Sequence, residues 1–311
     1  MEIPTQVEAA RRSVLALPHA DLATLVVTGS DRLSWLNGLL TCDLLKRSPR
    51  DAVYGLAVAR NGRVISDVVV VVDDEAKRVL MAVPRDAAEG LRAHLDHYLV
   101  MEDAEVAPAD RGVFVSWAVH GPDSLAVLNA AYAVGGAGGI VDRTGLGGAF
   151  VLGPVEDSEA MRSGIERTVG TVSGVVGDEA GWESLRLERA VPRFGVDFDD
   201  KTYPQEASLE KTAVRFDKGC YLGQEVVCML QMRGHVKRKL VSLVLAAGEP
   251  PQPGATVTDE LGAAVGEVTS AARSPTLDRS VAFASVKRAY AEAGRRVLVA
   301  GAPADVVERP A

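Results

Sequence analysis

Cysteine is scarce in this chain. Three residues in 311, Cys42, Cys220 and Cys228, make an odd number with no CxxC unit. That excludes a disulfide framework and argues against a structural zinc or a protein-only iron–sulfur site. Basic charge is also short: the net charge is −8, with a pI near 5.3, against a general nucleic-acid binder. No apolar run approaches bilayer-spanning length, so no membrane association is expected. The first residues carry Glu2, Glu8 and Arg11-Arg12 without the apolar core of a signal peptide, which makes cytoplasm the expected compartment. What is present is 47% apolar and 24% charged residues, a soluble globular profile, over a length that suits two or three domains.

The most unusual stretch is Lys218-Gly219-Cys220-Tyr221-Leu222-Gly223-Gln224-Glu225. It sets a lone thiol in a glycine-bracketed loop, and glycines at 219 and 223 permit positive φ or close backbone approach. Lys218 would favour the thiolate of Cys220 if the two side chains stay close. The opposing reading is a surface turn with an incidental cysteine. Val226 to Leu230 then reads as a buried strand, and Arg233 to Lys239 returns basic groups to the region. Between Ser208 and Leu240 seven Lys/Arg stand against three Asp/Glu, enough to attract an anionic ligand locally.

Upstream, Val7 to Leu17 has helical spacing and Ala23 to Thr28 reads as a strand. Ser30 or Asp31 caps a helix with Leu33, Leu36, Leu39 and Leu40 on one face, ending at Cys42. Tyr54 to Ala59 and Val64 to Val72 form a hairpin across Asn61-Gly62. Asp67 falls within the second of these strands. It is either a solvent-facing residue of an edge strand or a buried acid for a ligand's amine or amide edge. A strand from Arg78 to Val83 and a helix from Asp86 to Tyr98 complete an antiparallel α+β unit. His94 and His97 on that helix lack a third ligand and are expected to be solvated. A strand from Val113 to Val119 and a helix through Ala131 begin a second unit of similar order. Gly135 to Gly139 reads as a loop without a dinucleotide fingerprint. Ile165 to Gly177 closes this unit, and Glu179 to Glu188 reads as a helix. After His235, short strands broken by Gly/Pro turns indicate a small β-barrel or sandwich.

Leu185 to Phe198, Tyr203-Pro204-Gln205-Glu206-Ala207 and Lys218 to Glu225 together resemble the YgfZ proteins, relatives of the glycine-cleavage aminomethyltransferase (T-protein). The resemblance extends to Leu36-Asn37-Gly38-Leu39-Leu40-Thr41-Cys42-Asp43 and Asn61 to Asp67. It implies two ferredoxin-like α+β units in residues 1–236, with a boundary near 110, and a C-terminal β-barrel in 237–311. These surround a central cavity that binds tetrahydrofolate. The implied folate contacts are Glu188, Lys218, Tyr221, Gln224 and Arg233, with Glu188 on the pterin edge and the basic groups on the anionic tail. The resemblance further implies a monomeric accessory protein for assembly or maintenance of iron–sulfur clusters in client enzymes, including tRNA-modifying ones. Cys220 would be its reactive group, touching a cluster transiently together with ligands from a client or assembly protein. The alternative is a tetrahydrofolate-dependent aminomethyltransferase or demethylase using Asp67 as acid and base. Two departures from the T-protein pattern stand out. Ser66 replaces the first of two adjacent aspartates, and Asn37 and Cys42 occupy positions where Gln and Asn are usual.

Overall fold

The computed structural model describes residues 1–48, 50–107 and 114–308. The chain opens with helix α1 (Ile3–Arg12) and strand β1 (Leu15–Pro18), and then builds the first α+β unit. That unit runs β2 (Leu22–Thr28), α2 (Arg32–Asn37), β3 (Ala52–Val58), β4 (Val64–Asp73), β5 (Arg78–Pro84), α3 (Arg85–Asp96) and β6 (Glu105–Val106). The second comprises β7 (Phe114–His120), α4 (Ser124–Tyr132), β8 (Ala137–Ile140), β9 (Gly148–Pro154), α5 (Ser158–Thr171) and β10 (Val175–Val176). Helices α6 (Glu179–Glu188) and α7 (Gln224–Met232) precede the last domain. It contains β11 (Arg238–Leu245), β12 (Thr256–Thr258), β13 (Ala264–Ser274), β14 (Arg279–Lys287), β15 (Arg296–Val299) and β16 (Ala302–Val307).

Three sheets result: β3-β4-β5-β2-β6, β10-β1-β7-β9-β8, and a closed barrel ordered β11-β14-β13-β12-β15-β16. The fold is therefore α+β, two ferredoxin-like units with a C-terminal barrel. Strand alternation explains how the units assemble. On β4, Val68 and Val70 pack towards α2 and α3, whereas Val69 and Val71 face Ala118, Phe150 and Leu152 of the other sheet. The two sheets thus pack inner face to inner face, with their helices outside.

Several expectations give way here. The strand β1 belongs to the second unit's sheet, where Leu15 pairs with His120 and with Val175, so the chain starts in one unit and crosses to build the other. Helix α2 stops at Asn37, short of Cys42. Val226 to Leu230 is part of α7 and not a strand. Gly223, at φ +76°, launches that helix from a left-handed turn, and Val227 is its buried residue while Met229 and Met232 are exposed. The stretch Gly135 to Gly139 is in part strand β8. Its glycines allow close approach: a Cβ on Gly138 would meet the Phe150 carbonyl oxygen at 2.5 Å, and one on Gly139 the Ala52 nitrogen at 2.2 Å. The expected unit boundary near 110, and Val113 as a strand start, lie outside the described residues.

Gly223 meets a comparable constraint, since a Cβ there would stand 2.4 Å from the Ala59 carbonyl oxygen at the β3–β4 hairpin. Gly223→Ala combines that clash with a positive φ and is expected to cost about 2 kcal/mol or more. Urea unfolding measures it, and a variant within about 0.5 kcal/mol of wild type would show that the loop does not need this turn.

Candidate ligand site between the two sheets

Asp67 projects from β4 into a cavity between the inner faces of the sheets. The strand lies between β3 and β5, so this is no edge position, and Asp67 is only 8% exposed. The solvent-facing reading of this residue therefore gives way to a buried carboxyl. The Tyr54 hydroxyl donates to its Oδ2 at 3.1 Å, and Arg143 Nη2 stands 4.0 Å from the same oxygen. Arg143 also covers the Tyr54 ring at 3.9 Å from its centroid. Burial pushes the Asp67 carboxyl above the ordinary aspartate range, and Arg143 and Tyr54 hold that rise in check.

Arg143 is presented by a tight loop after β8. The Asp142 carboxylate accepts backbone N–H bonds from Thr144 at 2.9 Å and from Gly145 and Gly147 at 2.8 Å each. Facing Asp67 across the inter-sheet space, the second sheet contributes Ala118, His120 and Phe150 to the lining, and α6 contributes Trp182. His120 lies parallel to the Trp182 ring, with centroids 4.6 Å apart and planes inclined by 4°. Burial drives the His120 pKa down to about 3, so its ring is neutral at physiological pH.

The cavity measures about 120 Å³. Tyr54, Val141, Arg143 and Pro192 line both this space and a second cavity of about 1040 Å³ bounded partly by the barrel. The larger space carries Lys46, Arg47, Arg143, Arg189, Lys211, Arg215 and Lys239 against Asp43, Asp51, Asp142, Glu210 and Glu308. A net basic lining in a chain of charge −8 suits an anionic ligand segment. The pair of spaces therefore combines a narrow slot, whose apolar wall also carries His19, Asp21, Glu179, Arg186 and Arg193 beside Asp67, His120 and Arg143, with a wide, basic chamber.

Of the residues singled out in the sequence, Asp67 lines the inter-sheet cavity, and Glu188, Lys218, Cys220, Tyr221, Gln224 and Arg233 line neither space. The Glu188 carboxylate, at the end of α6, accepts from Ser274 Oγ at 2.5 Å, Thr276 Oγ1 at 2.7 Å and Arg11 Nη2 at 3.0 Å. It ties α1 and α6 to the barrel. Lys218 turns inward, its Nζ donating to the carbonyl oxygens of Asn37 at 2.6 Å, Leu40 at 2.8 Å and Cys42 at 2.6 Å. It thereby satisfies backbone groups left open where α2 ends. The expected Lys218–Cys220 pairing is not formed, because the ammonium is committed to these carbonyls while Cys220 is exposed. Tyr221 is buried in the core with Val58 and Val64, Gln224 is the half-buried first residue of α7, and Arg233 is exposed just past its end. His94 and His97 each set an edge against the Tyr98 ring, and His94 is partly buried rather than fully solvated. No cluster of three or more His, Cys, Asp or Glu among the described residues is suited to hold a metal. No helix among them is long and apolar enough to cross a membrane.

Tyr54, His120, Arg143 and Trp182 were not singled out as ligand residues from the sequence. The available signal was positional: His120 ends a strand immediately before Gly121-Pro122, as Thr28 ends one before Gly29-Ser30.

Comparison with known proteins places this geometry. Residues 2–135 match the model of the GCVT N-terminal domain, and residues 238–311 match the glycine cleavage T-protein C-terminal barrel domain. The aminomethyltransferase of a Nostoc species is 28% identical over 97% of this chain and 86% of its own length, and that of Streptomyces coelicolor is 29% identical over 91% and 80%. The crystal structure of the glycine cleavage aminomethyltransferase T from Bartonella henselae superposes with a TM-score of 0.84 at 21% identity, covering 99% of this chain and 89% of that one. The chain thus carries the N-terminal and C-terminal barrel domains of the glycine cleavage T-protein superfamily, on an aminomethyltransferase-like fold.

Proposed function

We propose that this protein binds a reduced folate with its ring in the inter-sheet cavity and its anionic tail towards the basic chamber, and that Asp67 serves one-carbon transfer from an aminomethyl donor. The observation that carries this reading is the buried Asp67 carboxyl, poised between desolvation and the Tyr54–Arg143 pair at the cavity wall. The residues present fit such a ligand: an acid, a phenol and a guanidinium converge on a slot that also holds a buried imidazole and indole. When bound, a reduced folate supplies nitrogen nucleophiles that take up a one-carbon unit. The chain's own part is to hold and move a proton at Asp67 Oδ2, with Tyr54 orienting the carboxyl and Arg143 stabilising its charged form. The packed inner faces of the two sheets keep water from the reacting atoms. The aminomethyltransferase names of the full-length relatives support the same class of reaction.

The test is direct. Purified protein is incubated with tetrahydrofolate and an aminomethyl thioether, and methylene-tetrahydrofolate and ammonia are followed. Formation of both in equal amounts supports the reading. Binding of tetrahydrofolate without any product would confine the protein to a carrier or accessory role.

That accessory role is the second reading, favoured by one observation. Cys220 is exposed, outside both cavities, on a loop that Leu222 N–H to Gly38 O (2.9 Å) and the Lys218 contacts hold firmly. A fixed, accessible thiol suits exchange with a partner's cysteine or transient contact with a client's iron–sulfur cluster, the role that the resemblance to the YgfZ proteins implies. Under this reading Cys220→Ser abolishes maintenance of client clusters in cells while leaving stability within about 0.5 kcal/mol and folate affinity unchanged. Full cluster maintenance by the serine variant would remove the accessory reading.

A further inference from the structure

His120 is the buried polar group of the cavity whose ring nitrogens find no partner. It is 5% exposed, and neither Nδ1 nor Nε2 has a hydrogen-bond partner among the described residues. Tyr221 Oη and Gln205 Oε1 are also buried without a partner, but neither residue lines the cavity, whereas Thr41 donates to Ala213 O at 2.6 Å, Ser66 to Asp67 O at 2.8 Å, and Lys218 to three carbonyls. An imidazole left with both nitrogens idle inside a protein is costly, and a group of this kind at a cavity wall calls for a ligand or an ordered water to complete it.

The ring is also held in place. His120 ends the central strand β7, paired with Leu15 on one side and Gly148 on the other. The next residue, Gly121, has φ +127°, and a Cβ there would meet the Ser13 carbonyl oxygen at 2.3 Å, so the backbone is pinned against the end of α1. Parallel stacking on Trp182 fixes the plane of the imidazole. The result is a rigid donor–acceptor ring lining the cavity that Asp67 also lines.

We propose that His120 is a ligand-binding residue of the inter-sheet cavity, its two ring nitrogens taking the hydrogen bonds of a planar, uncharged head group that bears an amide or amidine edge. One nitrogen donates and the other accepts, matching an edge that offers both a lone pair and an N–H. The inference rests on the folate reading and deepens it by assigning this ring to recognition of the ligand's head, on the wall contributed by the second sheet. Asp67 remains the residue that moves a proton.

His120→Leu and His120→Gln in the full chain test it, by calorimetric titration with tetrahydrofolate and by thermal unfolding of the unliganded protein. Leucine removes both polar atoms, and glutamine keeps a donor and an acceptor. The expected result for His120→Leu is about a tenfold or greater loss of affinity. Its unliganded Tm is expected to rise by about 3 °C, because an unsatisfied buried group has been removed. His120→Gln is expected to bind within about threefold of wild type. A leucine variant that binds like wild type, or whose Tm falls, would overturn the proposal and leave the ring as packing for Trp182. Failure of the folate reading looks different, since wild type itself would then bind no tetrahydrofolate. In that case the Tm decides alone: a rise in His120→Leu retains a functional ring kept at a cost in stability, and no rise overturns it.

Discussion

Asp67→Asn is expected to lower turnover of the aminomethyl donor by about 10²–10⁴-fold, the usual contribution of a positioned acid–base group. The same variant is expected to be more stable than wild type at neutral pH, and that combination is what separates a functional acid from a structural one. The sign follows from linkage. Burial raises the Asp67 pKa above its unfolded value, so between those two values the native state binds more protons than the unfolded state. Stability therefore falls as pH rises through this window, and the loss persists above it. Asparagine does not titrate and still accepts from the Tyr54 hydroxyl, so the penalty disappears while the contact geometry is kept. Steady-state assays together with Tm measured at pH 5 and pH 8 check both parts. Turnover within about threefold of wild type would sink the catalytic role. A Tm that drops equally at both pH values would mark Asp67 as a packing residue.

The second large effect concerns how the barrel is joined to the rest. Arg186 on α6 is fully buried, and its Nη1 donates to Asp197 Oδ2 at 2.7 Å while Nε and Nη2 fork onto Glu183 at 2.7 Å each. Asp197 in turn accepts from Thr269 at 2.7 Å and Ser270 at 2.5 Å on β13 of the barrel. The ion pair is thus the centre of a network crossing the domain boundary. Arg186→Met leaves the Asp197 carboxylate buried without its cation, and the expected cost is about 3–5 kcal/mol. The double variant Arg186→Met/Asp197→Leu removes the orphaned charge and is expected to be less destabilised than the single one. Urea unfolding of the three proteins decides this. A single variant within about 1 kcal/mol of wild type would mean that water reaches the carboxylate and the network does not hold the barrel.

Glu188 closes the same helix, and its structural task was hidden from the sequence because its partners are remote. The donors to its carboxylate are Arg11, Ser274 and Thr276, at separations of 177, 86 and 88 residues. No local pattern reports such partners. The same holds for His120, whose idle nitrogens and stacking on Trp182 depend on a strand and a helix, well apart in the chain, meeting at one cavity.

Local physical chemistry alone determined much of this protein. The Asn61-Gly62 turn set the β3–β4 hairpin, because Gly62 at φ +77° takes the conformation such turns require. Helical spacing identified α6 from Glu179 to Glu188, and Asp178 caps it by accepting from Gly181 N–H at 3.0 Å. Short strands between Gly/Pro turns marked the barrel. Tertiary structure alone decided the rest. The apolar run Val226 to Leu230 is compatible with strand or helix, and docking of Gly223 against Ala59 selects the helix. Alternation permits Asp67 either face of its sheet, and it is the second sheet, brought over by β1 and β7, that makes its face the interior. Side chains at 54, 67, 120, 143 and 182 become one site because two sheets close on each other, a long-range event that depends on the whole chain.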